Sequence, residues 1–337
     1  MLRRSRPFDE GDRYVLDSFL NQFWPATVDG LSLGAIYSLV ALGYTMVYGV
    51  LRLINFAHSE VFMIGTFAAL LTVELTGITS PLGTVPLIAF VLLLALVAGL
   101  VSGGTAVALE FVAYRPLRRR GASRLAALIS AIGASLFLQQ LFALVVIPWM
   151  FDRPKEGGRL PVQSADFVEP VNLFSIGPID IRSDKLIIFV GAILMMVALD
   201  MFVNRTKLGR GIRATAQDPE TAVLMGVNID RIVTATFMLG GAMAGVAAAL
   251  YLMRFEETEY FVGFLLGIKA FTAAVLGGIG NLRGALAGGM VLGLIEMYGS
   301  AAFGSEWRDV IAFSVLVLVL MFRPTGILGE SLQQARA

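Results

Sequence analysis

Long apolar blocks separated by short polar links fill almost the whole chain. They lie near 26–49, 59–77, 85–113, 125–149, 186–203, 231–253, 263–281, 284–303 and 308–323. Each approaches or exceeds the roughly 20 apolar residues that a helix needs to cross a bilayer. The pattern predicts an all-α polytopic membrane protein of about eight to ten spans. A polar or amphipathic segment over 1–24 precedes a single transmembrane domain over 25–330, and a tail over 331–337 follows it. The two longest interruptions are 150–184 and 204–231.

Charge in the links sets the orientation, because lysine and arginine collect on the cytoplasmic side. Tyr114–Arg124 carries Arg115, Arg118, Arg119, Arg120 and Arg124 without an acid, and 204–213 carries Arg205, Lys207, Arg210 and Arg213, again without one. Both are expected inside. The 150–184 segment has six acids against four bases, and 254–260 has Glu256, Glu257 and Glu259 against Arg254, so these are expected outside. The alternation then puts the C-terminus in the cytoplasm. The arginines near the start favour an inside N-terminus as well. That requires a broken or re-entrant element over 50–66, or an added span over Tyr14–Trp24.

Two segments interrupt apolar sequence in the manner of broken helices, which membranes tolerate only where the irregular backbone is buried in protein or lines a wet cavity. Tyr48–His58 does so with Arg52, Asn55 and His58; Gly277–Gly284 does so with glycines, Asn281 and Arg283. A tight turn between helices explains the second equally well. Within 204–231, Asp218-Pro219-Glu220-Thr221 is a helix start and Gly226 a left-handed exit. The short helix between them has an apolar body at 222–225, is too short to be stable alone in water, and needs a surface to dock on. The bilayer, its own subunit or a partner chain would serve.

Composition agrees with the pattern. The residues are 57% hydrophobic and 15% charged, and mean hydropathy is +0.77. A net charge of +1 points to no nucleic-acid partner, and the absence of cysteine with a single histidine excludes disulfide, thiolate or histidine-rich metal chemistry. No secretory leader is expected, because no apolar stretch directly follows the first arginines. No phosphate-binding G-x-x-x-x-G-K-[ST] or hydrolase motif is present. The chain is therefore expected to be no enzyme and to carry no cofactor, with any ATP held by a partner. An ion gradient would instead use a membrane carboxylate from among Glu60, Glu74, Glu110, Asp200 and Glu296, of which Glu296 is central in its span. Small-residue runs at Gly240–Gly245 and Gly284–Gly289, with Gly293, read as close helix contacts.

Seven blocks in order carry a family resemblance. They are Leu42-Gly-Tyr-Thr-Met-Val-Tyr-Gly-Val, Leu53-Ile-Asn-Phe-Ala-His-Ser-Glu-Val-Phe-Met-Ile-Gly65, Val112-Ala-Tyr-Arg-Pro-Leu, Gly211-Ile-Arg-Ala-Thr-Ala-Gln-Asp, Leu224-Met-Gly-Val-Asn-Ile-Asp-Arg231, Lys269-Ala-Phe-Thr-Ala-Ala-Val-Leu-Gly-Gly-Ile-Gly280 and Arg323-Pro-Thr-Gly-Ile-Leu-Gly329. From about residue 25 onward the chain resembles the membrane permease of high-affinity branched-chain amino acid ABC importers, of the LivH type.

The resemblance implies a bacterial plasma-membrane importer of branched-chain or other hydrophobic amino acids. A second permease, two cytoplasmic ATPases and an extracytoplasmic binding protein would cooperate with it, and Gly211–Arg231 would be the loop seated on an ATPase. Asp218, Ala222, Leu224, Met225 and Gly226 are the expected coupling residues. Asn55, His58, Asn281 and Glu296 are expected to line or support the translocation route. A urea or amide permease of the same family and an ion-coupled carrier using Glu296 are the alternatives. One departure from the family pattern is Ser59, where glycine commonly follows the histidine; a side chain there questions a strict turn.

Overall fold

A computed structural model describes residues 10–152, 154–176, 179–323 and 325–329. Eleven helices account for nearly all of it: α1 Glu10–Leu51, α2 His58–Thr76, α3 Thr84–Arg119, α4 Arg124–Met150, α5 Ser183–Arg205, α6 Lys207–Gln217, α7 Pro219–Leu224, α8 Ile229–Phe255, α9 Val262–Gly277, α10 Leu282–Phe303 and α11 Arg308–Phe322. Among the described residues, seven are long and apolar enough to cross a membrane, and α9 is a shorter apolar helix. With α11, these match the nine apolar blocks. The protein is an all-α, multi-pass membrane protein.

Helix α3 runs six residues past the predicted end of its block, through a π-turn at Glu110–Tyr114 and on over Pro116. A wide turn accommodates proline because the hydrogen bond that proline cannot make is already displaced there. The link read as an arginine-rich loop is thus largely helical. Arg115 and Arg118 reach the buried Glu110 at 3.2 and 3.1 Å, while Arg118 and Arg119 reach Asp230 at 2.6 and 2.8 Å. These bonds tie the end of α3 to the start of α8.

The bundle contains an internal inverted repeat. Helix α1 packs mainly on α10, and α3 packs mainly on α8; α1 meets α8 and α2 meets α9 between them. Exchanging α1–α4 with α8–α11 reproduces this set of contacts. Helix α1 runs from the acidic side of the bundle, where Asp29 pairs with Lys185 at 2.9 Å and Arg254 at 3.4 Å, to the basic side. Helix α8 runs the opposite way. Each ends on a residue forced into the left-handed region, Arg52 at φ 53° and Glu256 at φ 54°, and each is followed by an irregular link, 52–57 and 256–261, before the next helix. The counterpart of the first break is therefore not Gly277–Gly284, which is a tight turn on the basic side. It is the acidic 256–261 link, whose three glutamates gave it the look of an ordinary surface loop.

Glycines let the crossings close. A Cβ on Gly34 would lie 2.7 Å from the Gly289 carbonyl oxygen, and one on Gly241 would lie 2.7 Å from that of Ser102. Such approach is how apolar helices gain contact in lipid.

The first break does re-enter the bundle. His58, the first residue of α2, packs on Tyr44 with ring centroids 4.8 Å apart, close to Gly43, which lies about 12 Å inside the end of α1 at 1.5 Å per residue. The chain then returns to the acidic side along α2. The start of α1 consequently lies on the acidic side and not with the basic links. The arginine-bearing residues 1–9 lie outside the described residues, as does the 331–337 tail.

The acidic segment 150–184 is stitched over the second break. Val162–Gln163 pairs antiparallel with Glu257–Thr258, Asn172–Ile176 forms a hairpin with Ile179–Arg182, and Phe167 is buried against Phe90 at 5.6 Å.

Candidate functional site

Among the described residues, polar or exposed chemistry is found on each side of the bundle and at its centre. On the basic side, α6 and α7 stand between α5 and α8. Asp218 caps α7: it accepts from the Glu220 N–H at 3.0 Å and from the Thr221 hydroxyl. Those bonds, the hydroxyl first, hold its carboxyl below the usual aspartate value. At the other end Gly226 takes φ 83°, with Gly226 N–H bonded to Val223 O at 2.9 Å and Val227 N–H to Ala222 O at 3.0 Å. These bonds close the helix as the cap residues in the sequence anticipated. Ala222 faces inward and is buried, whereas Leu224 is 85% and Met225 80% exposed. A capped six-residue helix thus holds two large apolar side chains out into solvent.

In the bundle centre, α2 and α9 cross at their first turns. The Cβ of Ser59 lies 2.4 Å from where a Cβ on Gly267 would be, and its carbonyl oxygen lies 2.4 Å from where one on Gly263 would be. Ser59 is in helical conformation and needs no special backbone angle; the room for its side chain comes from those two glycines. Its hydroxyl donates to Phe56 O at 2.6 Å and sits 3.1 Å from Glu60 Oε1. Glu60, fully buried, also accepts from Ser135 at 3.0 Å and Gln139 at 2.8 Å on α4.

The predicted route residues separate in space. Asn55 is buried and accepts from the Tyr114 hydroxyl at 2.6 Å. His58 is buried, bonded to the Val40 backbone, and its Nε2 has no partner among the described residues. Asn281 caps α10 on the basic side, accepting from the Arg283 and Gly284 N–H groups at 3.0 and 3.2 Å while donating to Leu328 O at 2.9 Å. Of the four, only Glu296 lines the large cavity.

That cavity, of about 270 Å³, opens toward the acidic side between α1, α8, α9, α10 and α11. At its floor Glu296 accepts from the Tyr37 hydroxyl and from Lys269 Nζ, each at 2.9 Å, and Lys269 also reaches Asp309 at 2.7 Å. Glu259, on the rim, is pushed up from the usual glutamate value by burial and by Glu257. Sequence reasoning singled out Glu296 but not Lys269, Tyr37 or Asp309. The signal that could have found the site is that Lys269 is the one charged residue in α9, and an ionisable group inside a span marks a candidate site.

The family described as "Branched-chain amino acid transport system / permease component" matches residues 26–320. The chain belongs to this family. The permease is 44% identical over 304 residues to the high-affinity branched-chain amino acid transport system permease protein BraD of Pseudomonas aeruginosa, covering 90% of this chain and 94% of that one. It is 39% identical over 323 residues to the LivH permease of Escherichia coli, covering 93% and 96%. Similarity to a fructose import permease, FrcC of Rhizobium meliloti, extends over only 31% of each chain, at 31% identity. No solved structure matches the permease. These relatives are transport permease components, and the matched region takes in both repeats and α7.

Proposed function

We infer that this permease is the membrane subunit of an ATP-driven importer of branched-chain amino acids. The acidic side receives a loaded binding protein, and the basic side, with the C-terminus, faces the cytoplasm and two ATPase subunits. A second permease completes the membrane part. ATP is bound and hydrolysed by the partners, and this chain supplies the route and the mechanical link.

The observation that carries this reading is α7: Leu224 and Met225 are 85% and 80% exposed on a helix capped at both ends, on the side to which the arginine bias assigns the cytoplasm. An apolar pair held in water by a rigid cap has a partner surface as its natural sink. Rocking of α7 passes into α6 and α8, and through them into two repeats that meet at glycine crossings. Alternating access is then a shift between two packings, driven by differential contacts of the partners.

Use of Glu296 as an ion site is disfavoured by the Lys269 ammonium at 2.9 Å, which already supplies the positive charge a cation would bring. A urea or amide substrate finds no support among the relatives matched over most of their length, BraD and LivH, whose names specify branched-chain amino acids.

The test is co-purification of the detergent-solubilised chain with its ATPase. Wild type is expected to retain the ATPase, and Leu224→Asp and Met225→Asp to lose it. Retention by both variants would refute α7 as the docking element.

A further inference from the structure

The cavity on the acidic side plays no part in ATPase docking. Its volume of about 270 Å³ sits at the small end of ligand sites, which begin near about 300 Å³. It has room for one small amino acid. Its lining is mixed in chemistry: Leu33, Phe255 and Leu265 give apolar surface, and both signs of charge are present in Arg308 and Glu259 as well as in the floor pair Lys269 and Glu296.

The floor charges are committed to each other. Lys269 is shared between Glu296 and Asp309, and the second oxygen of Glu296 is held by Tyr37. At the rim the commitments are lighter. Arg308 uses Nε on Ser300 Oγ at 3.3 Å, and its two terminal nitrogens have no partner among the described residues, which leaves them for a carboxylate, the group a guanidinium binds best. A ligand with a single charge would satisfy only one sign of this lining. A zwitterion with an apolar side chain satisfies both signs and the apolar surface.

We propose that the cavity is a transit site within the permease for a zwitterionic α-amino acid with an aliphatic side chain. The α-carboxylate lies on Arg308, the α-ammonium on Glu259, the side chain against Leu33, Phe255 and Leu265, and the Lys269–Glu296 pair closes the floor. The proposal rests on the permease reading and adds a selective site inside the membrane subunit.

The chain has no cysteine, so Ser305→Cys on the exposed rim is a unique target for a membrane-impermeant maleimide in the assembled transporter without binding protein. Millimolar L-leucine is expected to slow labelling severalfold. Isovalerate and isoamylamine, each lacking one charge, should not. Adding Leu265→Trp should remove the protection and keep the labelling. Gly83→Cys, exposed elsewhere on the acidic side, should label at a rate that leucine does not change. Absence of protection, equal protection by the single-charge analogues, persistence of protection after Leu265→Trp, or failure of Ser305→Cys to label would each overturn the site. Leucine import by the wild-type transporter with its binding protein is measured alongside. Import without protection sinks the site alone, whereas absence of import sinks the permease reading.

Discussion

The Arg52 guanidinium donates to the carbonyl oxygen of Ala216 at 2.7 Å, joining the break between α1 and α2 to the last turn of α6. Asp218, the cap of α7, is two residues further on. Arg52 also holds φ 53°, a conformation that costs a non-glycine residue about 1–2 kcal/mol. Arg52→Gly relieves that strain and removes the link. Melting temperature is expected to stay close to wild type, while stimulation of the ATPase by loaded binding protein falls severalfold; Arg52→Lys should fall in between. A parallel loss of stability and stimulation would make the bond merely structural.

The α1–α10 crossing should be intolerant of a methyl group. Gly34→Ala places a Cβ 2.7 Å from the Gly289 oxygen and 2.8 Å from Met290 Cα, both backbone atoms, so the helices must separate at a cost of about 1–3 kcal/mol. Gly99→Ala meets nothing nearer than 3.6 Å and should be neutral or slightly stabilising, since alanine is the better helix former. Thermal unfolding in one detergent compares the two. Equal losses would contradict the packing account.

Ser59 and Gly267 should be energetically coupled. Gly267→Ala meets the Ser59 Cβ at 2.4 Å and is expected to destabilise the wild type strongly, but much less when combined with Ser59→Gly. A double-mutant cycle on thermal stability should return an interaction of about 0.5–3 kcal/mol. Additive effects would mean that α2 and α9 do not cross at their first turns.

Removing Lys269 leaves a buried carboxylate against only the Tyr37 hydroxyl. Lys269→Met is therefore expected to cost about 3–5 kcal/mol, and adding Glu296→Gln should restore much of it, because a neutral amide still accepts from Tyr37. If the double variant is no better than Lys269→Met, the lysine matters for packing and not for charge.

Much of this architecture is legible in the sequence. Each apolar block coincides with one long helix, since burying a polar backbone in lipid leaves few alternatives to a helix, although α1 begins well before its block, at Glu10, and α3 runs past its own to Arg119. Asp218-Pro219 and Gly226 mark the ends of α7, because capping chemistry is local. What is not legible depends on contacts between distant segments. The pairing of the 52–57 break with 256–261 lies in the repeat, and the two share geometry at Arg52 and Glu256 but no motif. The partners of Glu296, Tyr37 and Lys269, come from α1 and α9, and Asp309, which shares Lys269, comes from α11; no spacing rule connects them. Asn281 looks like a pore residue because the same Asn-x-x-Gly pattern serves as a helix cap, and sequence alone does not separate those uses. The arginines of 115–119 look like a free cytoplasmic link because their acids, Glu110 and Asp230, belong to two different helices.

The central claim is tested most directly by uptake of labelled L-leucine into proteoliposomes holding the complete transporter, with and without ATP inside and binding protein outside. Uptake that needs both, and that Leu224→Asp abolishes, is the predicted result. Uptake by this chain alone without nucleotide, or undiminished uptake by Leu224→Asp, would contradict it.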